Sequence, residues 1–374
     1  MGNANKKKKK EENKSSGSQK NEENKEKEEK NVIKIVKEKR DQNTKIGLKL
    51  INMQTHSNEK DKIEEAFTIQ DFPDTLIIGC RSGDIKKISK VTSSHDCKDK
   101  SNILVLYKLS KRLYSLILID KNNKLCAGLE SQLVILKINL NEKNSIQKEN
   151  ELSIKGEGPI YSLLKLKNEN LISAGKNIIL WKKMSSSEYN QIKSISAGYY
   201  KIINLVEFPY VNTILATQEN THLIYVLKNE ENSIDLICKK EDVSSIWYKG
   251  SAQHLTGSAM LLVGKFELNA IDAKNGVVIS RYPGIDKGSL LKMHLKDFTN
   301  DVWIVSHYMG TYFEFYEQEE SDLLFYDKIE LDEDEIYGWG HKLIKINDEC
   351  FATVNHYGQI HVYKINNNYN AEII

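Results

Sequence analysis

Proline, cysteine and long apolar runs are all scarce in this sequence, and each shortage excludes something. Among 374 residues there are four prolines and five cysteines. Cys80, Cys97, Cys126, Cys238 and Cys350 are odd in number and contain no Cys-x-x-Cys pair, which argues against a disulfide framework and a zinc site. No stretch approaches the roughly 18 apolar residues of a membrane-spanning helix. Lys6–Lys10 are followed by polar residues where a signal peptide has its apolar core. These shortages together predict a cytoplasmic protein in a reducing compartment. Segments with a 3.6-residue apolar period are nearly wanting, which leaves little room for helix.

Charge is present in ordinary amount, 28% of residues with a net +2, but it is unevenly placed. Residues 1–45 carry 15 Lys and Arg against 9 Asp and Glu, while the remainder carries 39 against 43. The body is therefore slightly acidic and its basic residues are not clustered, which speaks against nucleic acid as a partner. Residues 1–43 are almost entirely Lys, Glu, Asn, Ser and Gln, with one apolar cluster at Val32–Val36. Such a segment cannot bury enough apolar surface to offset its ordering entropy, and a disordered tail is expected. Its start, Met-Gly-Asn-Ala-Asn followed by Lys6, Lys7, Lys8, Lys9 and Lys10, carries a lipidation signal. Gly2 would be the acyl acceptor once Met1 is removed, and the five lysines would add the second, anionic-membrane signal that one acyl chain requires. Lys6 stands where that motif has Ser or Thr. The alternative is a tail that only solubilises.

What organises the remainder is a repeat. Seven stretches open alike: Ile85–Ile88, Leu133–Leu136, Ile178–Trp181, Leu223–Val226, Leu268–Ile271, Tyr312–Phe315 and Ile360–Tyr363. Their spacing stays in the mid-forties, and the first and fourth positions are apolar every time. Each is preceded by a second apolar segment, such as Thr75–Cys80 (TLIIGC) or Cys350–Asn355 (CFATVN). Further upstream lies a first one, seen as AFTI, YSLILI, YSLLKL, IINLVEF, SIWY, LLKMHL and KLIKI. Short strands rich in Ile, Val, Leu and Tyr, punctuated by Gly, Asn, Asp and Ser and repeating at this period, predict an all-β, seven-bladed β-propeller of four-stranded antiparallel blades over residues 44–374. A stacked solenoid is the second architecture. An open ring would leave two unpaired blade edges. The alternating segment 44–53 is expected to close it as the outer strand of the last blade, with Ala371–Ile374 as the competitor.

Asn177-Ile-Ile-Leu-Trp181 and Gly340-His341 resemble two marks of the WD-repeat propellers, the Trp that ends a third strand and the Gly-His that opens a blade. In the other units the Trp position holds Ile88, Leu136, Val226, Ile271, Phe315 or Tyr363, and the Asp usual before the third strand is replaced, for example by Ser82, Met309 and Tyr357. The resemblance is thus to a degenerate WD-repeat protein. It implies a non-enzymatic scaffold, alone or as a subunit of a larger complex. Such a protein would bind a protein or peptide on the rim made by second-to-third-strand turns and blade-opening loops. Carried onto this sequence, that rim holds Arg81, His307, Tyr308, His356, Tyr357, Trp247, Tyr337, Trp339 and His341, together with Glu130, Lys176, Tyr199, Tyr200, Glu219 and Lys265. The alternative is a quinoprotein-like propeller with a small molecule in its central channel.

The histidines do not make a metal site by spacing. His307 and His356 fall in the same turn of adjacent repeats, so their separation is the repeat itself. No Gly-x-Ser-x-Gly elbow, phosphate loop or catalytic Cys signature is present. No catalytic residue, metal or cofactor is therefore assigned, and an enzyme is not expected.

Overall fold

The computed structural model describes residues 46–366 except 56–60, 94–101, 121–123, 141–144, 155–157, 199, 231, 242, 244–245, 247–250, 285–286, 297, 308, 333–339 and 356–357. The side chains of Gln54, Thr55, Lys287 and His341 also fall outside the description. Gly2, Lys6–Lys10 and Ala371–Ile374 accordingly lie outside the described residues.

No α-helix occurs among the described residues, and twenty-eight strands form seven sheets of four. After β1 (Gly47–Thr55), the first blade comprises β2 (Ile63–Ile69), β3 (Phe72–Cys80), β4 (Asp84–Ser89) and β5 (Ile103–Lys108). The second holds β6 (Ser115–Asp120), β7 (Lys124–Gly128), β8 (Gln132–Asn139) and β9 (Ser145–Ser153), and the third β10 (Ser162–Lys165), β11 (Leu171–Ala174), β12 (Asn177–Lys183) and β13 (Tyr189–Ser196). The fourth holds β14 (Ile202–Phe208), β15 (Thr213–Gln218), β16 (Ile224–Glu230) and β17 (Ser233–Lys240). In the fifth are β18 (Ala252–Thr256), β19 (Ala259–Val263), β20 (Glu267–Asp272) and β21 (Val278–Pro283). The sixth has β22 (Lys287–Met293), β23 (Val302–His307), β24 (Tyr312–Glu319) and β25 (Asp322–Glu330). The seventh takes β26 (Gly340–Lys345), β27 (Cys350–Asn355) and β28 (Gln359–Asn366), with β1 as its outer strand. The predicted seven-bladed propeller is the observed fold.

Blade seven is sewn from both ends of the folded chain. β1 pairs antiparallel with β28 from Gly47↔Asn366 to Thr55↔Gln359. On the channel side, Lys342 of β26 reaches Glu65 of β2 at 2.7 Å, joining the last blade to the first. Such closure leaves no blade face uncovered.

The core follows from the ring. Seven apolar clusters are present, one at each junction between neighbouring blades, and the pair flanking blade seven contains residues from both ends of the sequence. Second strands lie mid-blade with a neighbour on each face, so β15 and β27 are buried at every position. This explains why TILATQ and CFATVN read as continuous runs rather than alternating ones. Full burial of each large aliphatic or aromatic side chain contributes about 1.5–3 kcal/mol. Outer strands instead mix charge with apolar residues, as in β17 with its exposed Asp235, Leu236 and Lys239. All seven outer strands carry a one-residue register shift against the third strand, for example between Leu180 and Trp181 in blade three and between Leu50 and Asn52 in blade seven. A bulge repeated at that place adds twist and spoils the outer edges for pairing with other chains.

One expected strand is corrected. The first strand of blade five is Ala252–Thr256, paired Ala252↔Leu262 through Thr256↔Ala259 with β19, and not the segment SIWY at 245–248. AQHLT buries Ala252 and Leu255 but leaves Gln253 and His254 partly exposed. Its weak hydrophobicity hid it behind a more apolar neighbour, whose Ile246 packs into the junction of blades four and five without belonging to a strand.

Candidate functional site

Because strands alternate in direction, the start of each first strand, the end of each second, the start of each third and the end of each fourth share one face of the disc. Backbone hydrogen bonds tie these ends together within the blades. Arg81 N donates to Lys62 O at 2.7 Å, Tyr161 N to Ala174 O at 2.9 Å, Ala197 N to Lys176 O at 2.9 Å, Glu219 N to Lys201 O at 2.8 Å and Leu331 N to Thr311 O at 3.0 Å. In blades one, six and seven the second-to-third-strand turn closes in the same way. The N–H of Gly83, Gly310 or Gly358 donates to the carbonyl of Cys80, His307 or Asn355 three residues earlier, and the glycine has φ of 95°, 75° or 78°. That left-handed geometry favours glycine, and it makes His307–Gly310 and Asn355–Gly358 copies of one turn, with Asn355 rather than His356 at the place of His307.

Of the residues assigned to the rim from sequence, His307, Arg81, Glu130, Lys176, Tyr200, Glu219 and Lys265 can be followed to their side chains. Half-buried His307 sits against its own turn, with Thr311 Oγ1 2.7 Å from Nδ1 and the Tyr312 ring stacked on it at 4.3 Å. Lys328 lies over the other part of this stack, 4.1 Å from the Tyr312 centroid. Arg81 pairs with the buried carboxylate of Glu64, which pins the first turn to β2. His341 lies within β26. Tyr308, Tyr357, Trp339, Tyr337, His356 and Trp247 lie outside the described residues, as does Tyr199. Tyr200, Phe266 and Met309 stand on the rim 56%, 55% and 42% exposed.

A cluster that the sequence reading passed over occupies the loops opening blades two to four. The Arg112 guanidinium lies 4.7 Å from the Tyr114 ring. Tyr114 meets Tyr161 edge-on at 5.4 Å. Lys201 Nζ lies 4.9 Å from the Tyr161 ring and 2.7 Å from a Glu219 carboxylate oxygen. Burial pushes the Tyr161 hydroxyl above its ordinary pKa, against the opposing pull of Lys201. Its signal was visible: Tyr-Ser-Leu recurs at 114–116 and 161–163, one repeat apart, immediately before first strands. Beneath it Ser115 Oγ donates to Ile160 O at 2.8 Å, holding blades two and three together.

The central channel runs between the first strands. Its cavity of about 330 Å³ is lined by Glu65, Phe67, Leu116, Leu163, Asn204 and Lys342 among others. Glu65 and Lys342 already neutralise each other. Among the described residues, no three His, Cys, Asp or Glu side chains come together as a metal-binding group. Of the degenerate WD marks, Trp181 is in place, its Nε1 donating 2.9 Å to Ser173 Oγ in the neighbouring strand.

No protein-family model matches the sequence, and no curated protein does. Solved structures do resemble the fold. The WD40 β-propeller domain of Doa1 superposes with a TM-score of 0.60 at 13% identity, covering 85% of this chain and 97% of that one. A chain of the mitotic checkpoint complex gives 0.58 at 9% identity, covering 83% and 98%. At such identities the likeness is one of fold, and it makes this chain a WD40-like propeller.

Proposed function

We propose that this WD40-like propeller is a non-enzymatic scaffold that binds a protein or peptide partner on its loop rim. The observation that carries the proposal is the concentration of aromatic and cationic side chains there: Tyr200 and Phe266 exposed, and Arg112, Tyr114, Tyr161 and Lys201 joined in one cluster. Aromatics and Arg dominate interface energetics because they bury large area at small entropic cost. The sequence candidates Tyr308, Tyr357, Trp339, His307, His356, Tyr337, His341, Arg81 and Trp247 belong to the same proposed surface. One of the similar structures comes from a mitotic checkpoint complex, and that assembly lends the reading support by analogy of fold.

The channel favours this reading over a small-molecule one. Aliphatic side chains supply much of its lining, and the charges it holds are spent on the Glu65–Lys342 pair that bridges blades. The polybasic start is proposed to hold the cytoplasmic scaffold at an anionic membrane, with an acyl group on Gly2 as the second anchor.

Affinity purification with the parent and with a Tyr200→Ala/Phe266→Ala/Met309→Ala variant tests the rim. The expected result is loss of specific partners, and an unchanged partner list ends the proposal. For the tail, Gly2→Ala is expected to move the protein from the membrane to the soluble fraction. Equal membrane fractions for the two proteins would refute the tether.

A further inference from the structure

The rim is electrically lopsided. On the arc that opens blades two to four, Lys111, Arg112 and Lys176 are exposed and Lys201 is half-buried, beside the exposed carboxylate Glu130 of the second-to-third-strand turn in blade two. Lys201 has Glu219 as its carboxylate, whereas Arg112 and Lys176 have no ion-pair partner among the described residues. Across the disc, where blade six ends, Asp332 is exposed, and the exposed Glu330 is paired with Lys328 at 2.9 Å. A guanidinium resting on a ring face, as Arg112 rests on Tyr114, keeps its in-plane N–H donors directed away from the ring. Those donors match the two oxygens of a carboxylate. Between the two cationic ends lies an aromatic floor made by the Tyr114–Tyr161 pair, with exposed Tyr200 beside it.

We propose that this arc is the seat for an extended acidic segment of a partner protein. Its Asp and Glu carboxylates would lie on Arg112, Lys176 and Lys201, and its less polar atoms against Tyr161 and Tyr200. The inference rests on the rim reading above and adds the partner's chemistry to it. Charge also orients the segment, because Asp332 repels it from the opposite arc while Arg112 and Lys176 attract it, so an acidic strand lies over blades two to four rather than across the whole disc. The Tyr161 hydroxyl, protonated at neutral pH like any phenol, supplies a donor that a cationic or purely apolar segment would not use.

The test is fluorescence anisotropy on the full chain with three labelled probes: the hexapeptide Glu-Asp-Glu-Leu-Glu-Asp, the same peptide with every acid replaced by Lys, and a peptide whose only anion is one phosphoserine. The acidic probe is expected to bind most tightly and to weaken as salt is raised. Arg112→Glu/Lys176→Glu should weaken it by about tenfold or more, while Lys137→Glu, an exposed change on β8 outside the arc, should not. Circular dichroism and thermal melting are expected to be the same for all variants, since the altered side chains are exposed. Equal binding of the acidic and basic probes, or indifference to the arc reversal, overturns the inference. Binding of the phosphoserine probe alone overturns carboxylates as the recognised group. If partner capture still depends on the rim while the acidic probe fails, the scaffold reading stands and this inference falls.

Discussion

Gly128, the last residue of β7, is the position where one methyl group should travel furthest. A Cβ there would lie 2.3 Å from Ser115 Oγ, 2.9 Å from Ile160 Cγ2 and 3.0 Å from Ile160 O. Ser115 and Ile160 are the pair whose 2.8 Å hydrogen bond joins blades two and three directly below Tyr161. Gly128→Ala must therefore push the two blades apart or expel the Ser115 hydroxyl. Overpacking of this kind costs about 1–3 kcal/mol and loss of the buried hydrogen bond about 1 kcal/mol. Against this stands about 0.4–1 kcal/mol from the stiffer unfolded chain. The net expectation is a destabilisation of about 2–3 kcal/mol, read as a lower urea midpoint at unchanged slope. Ser115→Ala alone should cost about 1 kcal/mol. The double variant should cost less than the sum of the two, because removing Oγ removes the nearest clash. Acidic-probe affinity should drop with Gly128→Ala as well, since Ile160 carries Tyr161. Additive costs, or a neutral Gly128→Ala, would refute the proposed geometry of this junction.

Trp181→Phe removes the indole N–H from a nearly fully buried Ser173 hydroxyl and is expected to cost about 2 kcal/mol; Ser173→Ala in the same chain should recover part of it in urea melts. Burial alone would raise the Asp61 carboxyl, but hydrogen bonds from Ser82 and the charge of Lys86 hold it below its ordinary pKa. A depressed folded pKa gives stability above the unfolded value that is lost as pH falls through the folded one. Asp61→Asn should thus cost about 1 kcal/mol at pH 7 after allowance for solvent screening, with the gap closing below about pH 4; a gap that widens in acid contradicts the assignment. Burial pushes the Cys80 and Cys126 thiols up to about 12, so in a Cys97→Ser background the partly exposed Cys238 should be the first to react with a thiol reagent at pH 8, and mass spectrometry of early adducts reports it.

Much of the architecture was legible because every blade repeats one demand. Second strands such as β15 and β27 face apolar neighbours on both sides, so their runs of buried residues recur at the blade period. The lapse at β18 has the same cause in reverse. Only Ala252 of it borders the channel, while Gln253 donates to Leu290 O at 2.7 Å and His254 lies against the Phe208 ring at 4.5 Å, so polar side chains are accommodated and the apolar signal fades. The turns holding His307 and His356 were readable as copies because both close on a glycine, Gly310 and Gly358, and only the turn geometry shows that Asn355 is the counterpart of His307.

The site was less legible. Whether Arg81 is a binding residue or a strut depends on Glu64, 17 residues away in sequence, and the Arg112–Tyr114–Tyr161–Lys201 cluster is assembled from loops opening three different blades. By itself the sequence determined the number of blades and nearly all their inner strands, β18 excepted, since burial within a blade is a local pattern of apolar residues. Tertiary structure alone decided which side chains meet across blades, because closing the ring is what brings loops a full repeat apart within contact distance.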